Sequence, residues 1–236
     1  MRALVFALGL AVASATCFAQ ESAASQQEFV PKAGSGRVVV VVSGQTGPSN
    51  YMHAAQRFAD DGFDVILLDG NEFWIKDTHA AWSKLKATIA QAQAGPHAQP
   101  GKVGVVGYSL GGGVALAYAT RMPDLVETVV VGYPLTSFIK DPAGFMDKVK
   151  VPVLMLAGTA DTYENCCLIE KARQLAAAAQ ASSPAQLTLH EYPGVGHGFN
   201  LDNAARKDQV AGMDAMDRTL AQLHQALQPA AAASAP

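Results

Sequence analysis

The strongest constraint on the fold is a series of short, almost wholly apolar runs, rich in β-branched residues and separated by helix-like segments. The six runs cover residues 37–44, 63–70, 102–107, 127–134, 151–158 and 185–192. Strands that are apolar on both faces are buried on both faces, as in a parallel sheet covered by helices. The alternation of runs and helices therefore predicts an α/β protein with a doubly wound sheet of about six mainly parallel strands and helices on both faces.

The two ends of the chain differ in composition from the segment that carries these runs. Arg2, the apolar stretch 3–15 and the small residue Ala19 are typical of a signal peptide, here residues 1–19, which is too short to span a membrane. We expect residues 20–35 to be a polar leader, 36–228 the folded domain and 229–236 a disordered tail. The protein is therefore predicted to be periplasmic or secreted, with no membrane span after signal cleavage.

Charge and cysteine content exclude several classes of function. The net charge is −3 and no long basic run is present, so we expect no nucleic-acid partner. The loop 43–47 lacks the glycine patterns of nucleotide-binding loops, and the cysteines lack the spacing of a zinc site, so we expect no cofactor and no metal. After export only Cys166 and Cys167 remain, either as a disulfide between adjacent residues or as buried thiols.

The segment Gly107–Gly111 has the pattern G-x-S-x-G, with Ser109 at its centre. It follows the third predicted strand and precedes a helix, which is the context of a nucleophile elbow. In that tight turn Gly107 and Gly111 remove side chains that would clash. The pattern favours Ser109 as a nucleophile.

Two further residues complete a candidate catalytic triad. Asp161 follows the fifth strand and His197 the sixth, so both are expected with Ser109 at the carboxyl edge of the sheet. Taken singly, Asp161 could be a helix cap and His197 an ordinary loop histidine. Together, in the order Ser-Asp-His, they favour a triad. Its oxyanion hole would use the backbone N–H of Leu110 and that of Gln45 or Gly44.

The segments around these residues resemble those of the dienelactone hydrolase family. The similar segments are "GYSLGGGVAL" around Ser109, "KVPVLMLAGTAD" before Asp161 and "YPGVGHGF" around His197. The resemblance implies an α/β-hydrolase-type sheet, and the short segment 135–150 leaves no room for a lid domain. The namesake enzymes have a cysteine nucleophile and a glutamate after the first strand. This chain has Ser109 as the nucleophile and Ser43-Gly44-Gln45 after the first strand, which favours a serine esterase.

The substrate pocket is less constrained by the sequence than the triad. The candidate lining residues follow strand ends, but each could equally be core packing, as most aromatic side chains are. They are Phe73, Trp74, Tyr108, Leu135 and Phe199.

The leading prediction is an exported serine hydrolase that cleaves a small, neutral carboxylic ester through an acyl-enzyme. A monomer is favoured. The alternatives are a peptidase or amidase, an acyltransferase, or a non-catalytic binding protein of the same fold.

Overall fold

The computed structural model describes residues 25–182, 186–201 and 204–228. The predicted signal peptide and the predicted C-terminal tail lie outside these residues. The strands are β1 (Gln26–Phe29), β2 (Gly36–Val42), β3 (Asp64–Leu68), β4 (Ala98–Tyr108), β5 (Val126–Gly132), β6 (Val153–Gly158) and β7 (Leu187–Tyr192). The helices are α1 (Met52–Asp60), α2 (Thr78–Gln93), α3 (Leu110–Ala117), α4 (Pro142–Met146), α5 (Ile169–Ser182) and α6 (Arg206–Leu227).

The strands form one sheet in the order β1-β3-β2-β4-β5-β6-β7. All neighbouring pairs are parallel except β1 and β3. The chain moves outward from β2 to β3 and then crosses back to β4, so the strand order reverses between β2 and β4. In open α/β sheets ligands bind outside the carboxyl ends of the strands at such a reversal. This is where the β2 loop and Ser109 meet.

A hydrophobic core lies on each face of the sheet. Residues of α2, α3 and α5 pack on one face, with Leu85, Val114 and Leu175 almost fully buried. Residues of α1 and α6 pack on the other, with Phe58 and Leu223 equally buried. The prediction of a doubly wound sheet with helices on both faces is thus confirmed.

The strand count is one higher than predicted. The additional strand, β1, lies inside the segment predicted to be a polar leader. Its four residues have the sequence QQEF, and three of them are exposed. Because β1 pairs with a single neighbour within the described part of the chain, it needs no apolar run, and the sequence pattern does not reveal it.

Two connections bear on the functional site. Helix α5 begins at Ile169, well after the end of β6 at Gly158. Residues Tyr163–Asn165 form a 3-10 turn, in which Glu164 and Asn165 have φ angles of 46° and 51°. Between β5 and β6 the only helix is α4, which has five residues, so a lid-sized insertion is absent at this position. Among the described residues no helix is long and apolar enough to cross a membrane.

Candidate active site

Ser109 lies in a sharp turn between β4 and α3. Its backbone has φ 52° and ψ −117°, a conformation that non-glycine residues rarely adopt and that is typical of strained functional positions. A Cβ on Gly107 would lie 2.8 Å from the carbonyl carbon of Gly111. A Cβ on Gly111 would lie 2.7 Å from the carbonyl carbon of Val42, at the end of β2. Glycine is therefore required at both positions, as the sequence predicted.

The three candidate catalytic side chains are joined by two hydrogen bonds. The Ser109 hydroxyl Oγ lies 2.9 Å from His197 Nε2, and His197 Nδ1 lies 2.7 Å from Asp161 Oδ2. A proton on Nδ1 would be donated to the carboxylate, which leaves Nε2 free to accept the Ser109 proton. The three residues follow β4, β6 and β7, so the carboxyl edge of the sheet brings them together.

The Asp161 carboxylate is held by more than its contact with His197. Its side chain is 1% exposed, and its second oxygen, Oδ1, accepts the backbone N–H of Tyr163 at 3.0 Å. Each oxygen of the carboxylate therefore faces a donor, which is how a buried charge is tolerated. This geometry also fixes the direction in which the carboxylate faces the imidazole.

Two tyrosines that the sequence analysis did not assign to the site contact the imidazole of His197. The ring of Tyr163 is stacked on it, with centroids 4.6 Å apart and planes at 12°. Tyr133 meets it edge-on at 4.7 Å, and its hydroxyl donates a hydrogen bond to Asn200. Burial raises the pKa of Tyr133 well above its usual value, so this hydroxyl stays protonated. The only sequence hint was that Tyr163 and Tyr133 each follow a strand end.

The candidate oxyanion loop lies beside Ser109. A Cβ on Gly44 would be 3.2 Å from the Ser109 Cβ and 3.3 Å from the Tyr51 ring, so a side chain at this position would press on the nucleophile turn. Gln45 is exposed, and its carbonyl accepts the Asn71 side-chain amide at 3.1 Å. Leu110, the third candidate, begins α3 immediately after Ser109. All three candidates therefore lie around the nucleophile turn.

Three of the five candidate pocket residues are buried in the hydrophobic cores on the two faces of the sheet. Phe73 is fully buried on one side of the sheet. Tyr108 and Phe199 are buried on the other side, and Phe199 supports Tyr133 through an edge contact at 5.2 Å. Trp74 and Leu135 are partly exposed. They remain candidates for the pocket wall.

The two remaining pocket candidates, Trp74 and Leu135, each contact a residue of a neighbouring segment. Trp74 packs edge-on against Phe138, with ring centroids 5.2 Å apart. The Leu135 N–H donates to the Ser109 carbonyl at 2.8 Å, so the segment after β5 is joined directly to the nucleophile turn. This bond places Leu135 next to the candidate nucleophile.

Cys166 and Cys167 form a disulfide, so the alternative of free buried thiols is wrong. Both sulfur atoms lie within 4.8 Å of a ring nitrogen of His197. Because they are bonded to each other, they cannot act as thiolate ligands, and this group does not hold a metal ion in the oxidised protein. The Cys166 carbonyl accepts the backbone N–H groups of Thr136 and Ser137 at 2.9 and 3.0 Å. The Cys166 carbonyl thus joins the loop after β6 to the loop after β5, whereas the disulfide itself lies within the loop after β6.

Known proteins share both the sequence pattern and the fold of this chain. A putative carboxymethylenebutenolidase from Synechocystis sp. is 29% identical over 178 residues, which cover 72% of this chain and 70% of that protein. The crystal structure of a putative dienelactone hydrolase from Klebsiella pneumoniae superposes with a TM-score of 0.70 at 20% identity, covering 86% of this chain and all of the other.

A third similar protein is esterase 2 of Thermogutta terrifontis, in a structure described as phosphorylated by paraoxon. It superposes with a TM-score of 0.67 at 17% identity, covering 85% of this chain and 88% of that one. Residues 70–227 also match the model of the dienelactone hydrolase family. The chain therefore belongs to the dienelactone hydrolase family and is a carboxylic-ester hydrolase.

Proposed function

We propose that the protein is an exported serine esterase in which Ser109, His197 and Asp161 form the catalytic triad. The observation that carries the proposal is the continuous chain of two hydrogen bonds from Ser109 Oγ through the imidazole to Asp161. A serine hydroxyl is a weak nucleophile on its own and needs a base that is itself oriented. Each of these requirements is met by one of the three side chains.

The reaction proceeds in two halves. Ser109 Oγ attacks the ester carbonyl while His197 Nε2 takes its proton, and the imidazolium then protonates the leaving alcohol. Asp161 stabilises the imidazolium and keeps the first proton on Nδ1. A water molecule, activated by the same imidazole, hydrolyses the acyl-enzyme and releases the carboxylic acid.

The negative charge that develops on the carbonyl oxygen needs preorganised donors. We assign the first donor to the backbone N–H of Leu110 and the second to the loop of Gly44 and Gln45. The tight approach of Gly44 to Ser109 supports this assignment, because it brings the β2 loop within reach of the same oxygen. The pocket wall would be formed by Trp74 and Leu135, which suits a small, neutral ester.

Hydrolysis of a p-nitrophenyl ester series from acetate to octanoate tests the proposal. Ser109→Ala should abolish turnover, whereas Ser83→Ala on α2 should leave it unchanged. A fluorophosphonate should label the native protein once per chain and fail to label Ser109→Ala. Full ester hydrolysis by Ser109→Ala would contradict the nucleophile assignment.

The same assays separate the alternatives that the sequence left open. Turnover of matched amides at a rate similar to that of the esters would favour an amidase or peptidase. Transfer of the acyl group to an added alcohol in preference to water would favour an acyltransferase. A folded protein that is neither labelled nor active would be a binding protein of the same fold.

Export is proposed on the sequence of residues 1–19, with cleavage after Ala19. Cell fractionation followed by mass spectrometry of the mature N-terminus tests it. A mature chain that begins at Gln20 and is found outside the cytoplasm is expected, and a cytoplasmic chain that retains Met1 would refute it.

A further inference from the structure

A second cluster of polar side chains lies at the opposite edge of the sheet from Ser109. Glu28 is on β1, Asp64 is the first residue of β3, and His97 immediately precedes β4. Glu28 pairs with Ile66, so both side chains lie on one face, and Asp64, two residues before Ile66, lies on that face as well. Two carboxylate oxygens and one ring nitrogen of this cluster lie within 4.8 Å of one another.

Asp64 is the buried member of this cluster, and its carboxylate lacks hydrogen-bond donors within the described part of the chain. It is 1% exposed, and neither of its carboxylate oxygens has a hydrogen-bond partner among the residues that the structure describes. A buried carboxylate without a hydrogen-bond donor is strongly unfavourable. Two carboxylates that face a single imidazole favour a bound cation or a shared proton at this position.

We propose that Glu28, Asp64 and His97 bind a divalent transition-metal ion, with Zn²⁺ as the best fit. Carboxylate oxygen and imidazole nitrogen are the ligand atoms that Zn²⁺ accepts, and two carboxylates with one neutral imidazole balance its charge. His97 Nδ1 already lies 2.8 Å from Glu28 Oε1. Two ligands on one Zn²⁺ ion are about 3.3 Å apart at tetrahedral angles, so the two side chains need to separate only slightly.

The exposure of the three side chains fits ion entry. Asp64 is buried, whereas Glu28 and His97 are about one-third exposed, at 35% and 36%. The site is therefore closed on the side of the core and open to solvent on the other, where water would complete the coordination. Small rotations of Glu28 and His97 bring their ligand atoms onto the ion while Asp64 stays in place.

Such an ion would hold the shortest strand of the sheet in place. β1 has four residues, and among the strands of the described residues it pairs with β3 alone. The three ligands come from β1, β3 and the segment that leads into β4, so one ion would cross-link all three. Because the folded chain would bind the ion and the unfolded chain would not, binding would stabilise the fold by mass action.

Thermal unfolding of the chelator-treated mature protein, with and without ZnCl₂, tests the proposal. At a free Zn²⁺ concentration a hundredfold above Kd, the Tm should rise by about 5–10 °C. Calorimetry should show one ion per chain, and Co²⁺ should give the visible absorption of a bound ion. MgCl₂ should have little effect, because Mg²⁺ prefers an all-oxygen octahedral site.

Variants locate the ion. His97→Gln and Glu28→Gln, both at partly exposed positions, should lose the Zn²⁺-dependent rise in Tm. His224→Gln should keep it, because His224 is a matched histidine paired with Asp61 on another surface. Equal Zn²⁺ effects in wild type and His97→Gln would overturn the proposal.

Asp64→Asn separates the ion from a shared proton. Its metal-free form should be at least as stable as wild type, since a buried charge is removed, and Zn²⁺ should not stabilise it further. If wild type gains nothing from Zn²⁺, Mn²⁺ or Co²⁺, and only Asp64→Asn raises the Tm, a proton shared with Glu28 accounts for the cluster and the metal site is refuted. Ester hydrolysis is a separate readout, because the triad lies at the other edge of the sheet.

Discussion

Replacement of Asp161 by asparagine tests the triad most sharply, because the structure fixes how the new amide must be oriented. Oδ1 accepts the Tyr163 N–H, and Oδ2 faces His197 Nδ1. In Asp161→Asn the amide oxygen should remain at the Oδ1 position to keep the first bond. The amide NH₂ then faces Nδ1 and forces the imidazole proton onto Nε2, which faces Ser109. His197 can no longer accept the serine proton.

The expected loss in kcat is about 10³- to 10⁴-fold. A carboxylate-to-amide change in a Ser-His-Asp triad costs about 10⁴-fold, which corresponds to about 5.5 kcal/mol in the activation barrier. A flipped amide would restore the productive tautomer but leave the Tyr163 N–H unpaired, at a cost of about 1–3 kcal/mol. It would also lack the negative charge that stabilises the imidazolium. The minor flipped form therefore reduces the loss in kcat but does not restore wild-type activity.

The assay is p-nitrophenyl acetate hydrolysis, with kcat and KM determined separately for Asp161→Asn. Asp141→Asn is the matched control, because Asp141 caps α4 by accepting the Gly144 N–H and asparagine caps equally well. The control should keep its full kcat. If Asp161→Asn folds normally and retains more than a tenth of the wild-type kcat, Asp161 does not orient His197 and the reasoning fails.

Three further substitutions probe the surroundings of the triad. Gly111→Ala should cost more than about 3 kcal/mol in urea unfolding, because its Cβ would meet the backbone of Val42, whereas Gly34→Ala, which has open space around it, should cost about 1 kcal/mol. An equal cost for both would contradict the close packing of the turn. Tyr163→Ala should lower kcat about tenfold with a smaller change in KM, because it removes the ring stacked on His197. Tyr163→Phe keeps the ring and should restore kcat. An unchanged kcat in Tyr163→Ala would show that the ring does not position the imidazole. A dithiol reductant should lower kcat of the wild-type protein severalfold, because it breaks the disulfide and releases the Cys166–Cys167 segment. The double variant Cys166→Ala/Cys167→Ala should not respond to the reductant. If the wild type and the double variant lose the same fraction of kcat, the disulfide does not affect catalysis.

Local patterns were sufficient to predict the central sheet. A run such as 37–44 has no polar face, so it fits only a strand buried on both sides, and its neighbours follow the same rule. The strand β1 could not be found in this way, because QQEF is an edge strand whose pairing with β3 is a long-range contact. Placement of Ser109, Asp161 and His197 at one edge likewise followed from strand order alone.

What the sequence did not predict depends on contacts between distant segments. Phe73 and Trp74 are adjacent and chemically alike, yet one is fully buried and the other partly exposed. The burial of each ring depends on how the segment after β3 turns over the sheet, and the hydrophobic periodicity of the sequence does not predict that turn. The stacking of Tyr163 on His197 has the same origin, since the turn at Glu164 and Asn165 requires left-handed φ angles in residues other than glycine.

The hydrogen-bonded residues of the site are widely separated along the chain. Ser109 and His197 are 88 residues apart, and Asp161 and His197 are 36 apart. The nucleophile and its base can meet only after β4, β5, β6 and β7 have all joined the sheet. A partly folded chain that lacks any of these strands should therefore be inactive. Turnover consequently reports the last stage of folding, and the recovery of activity during refolding should lag behind the recovery of helical circular dichroism wherever intermediates accumulate.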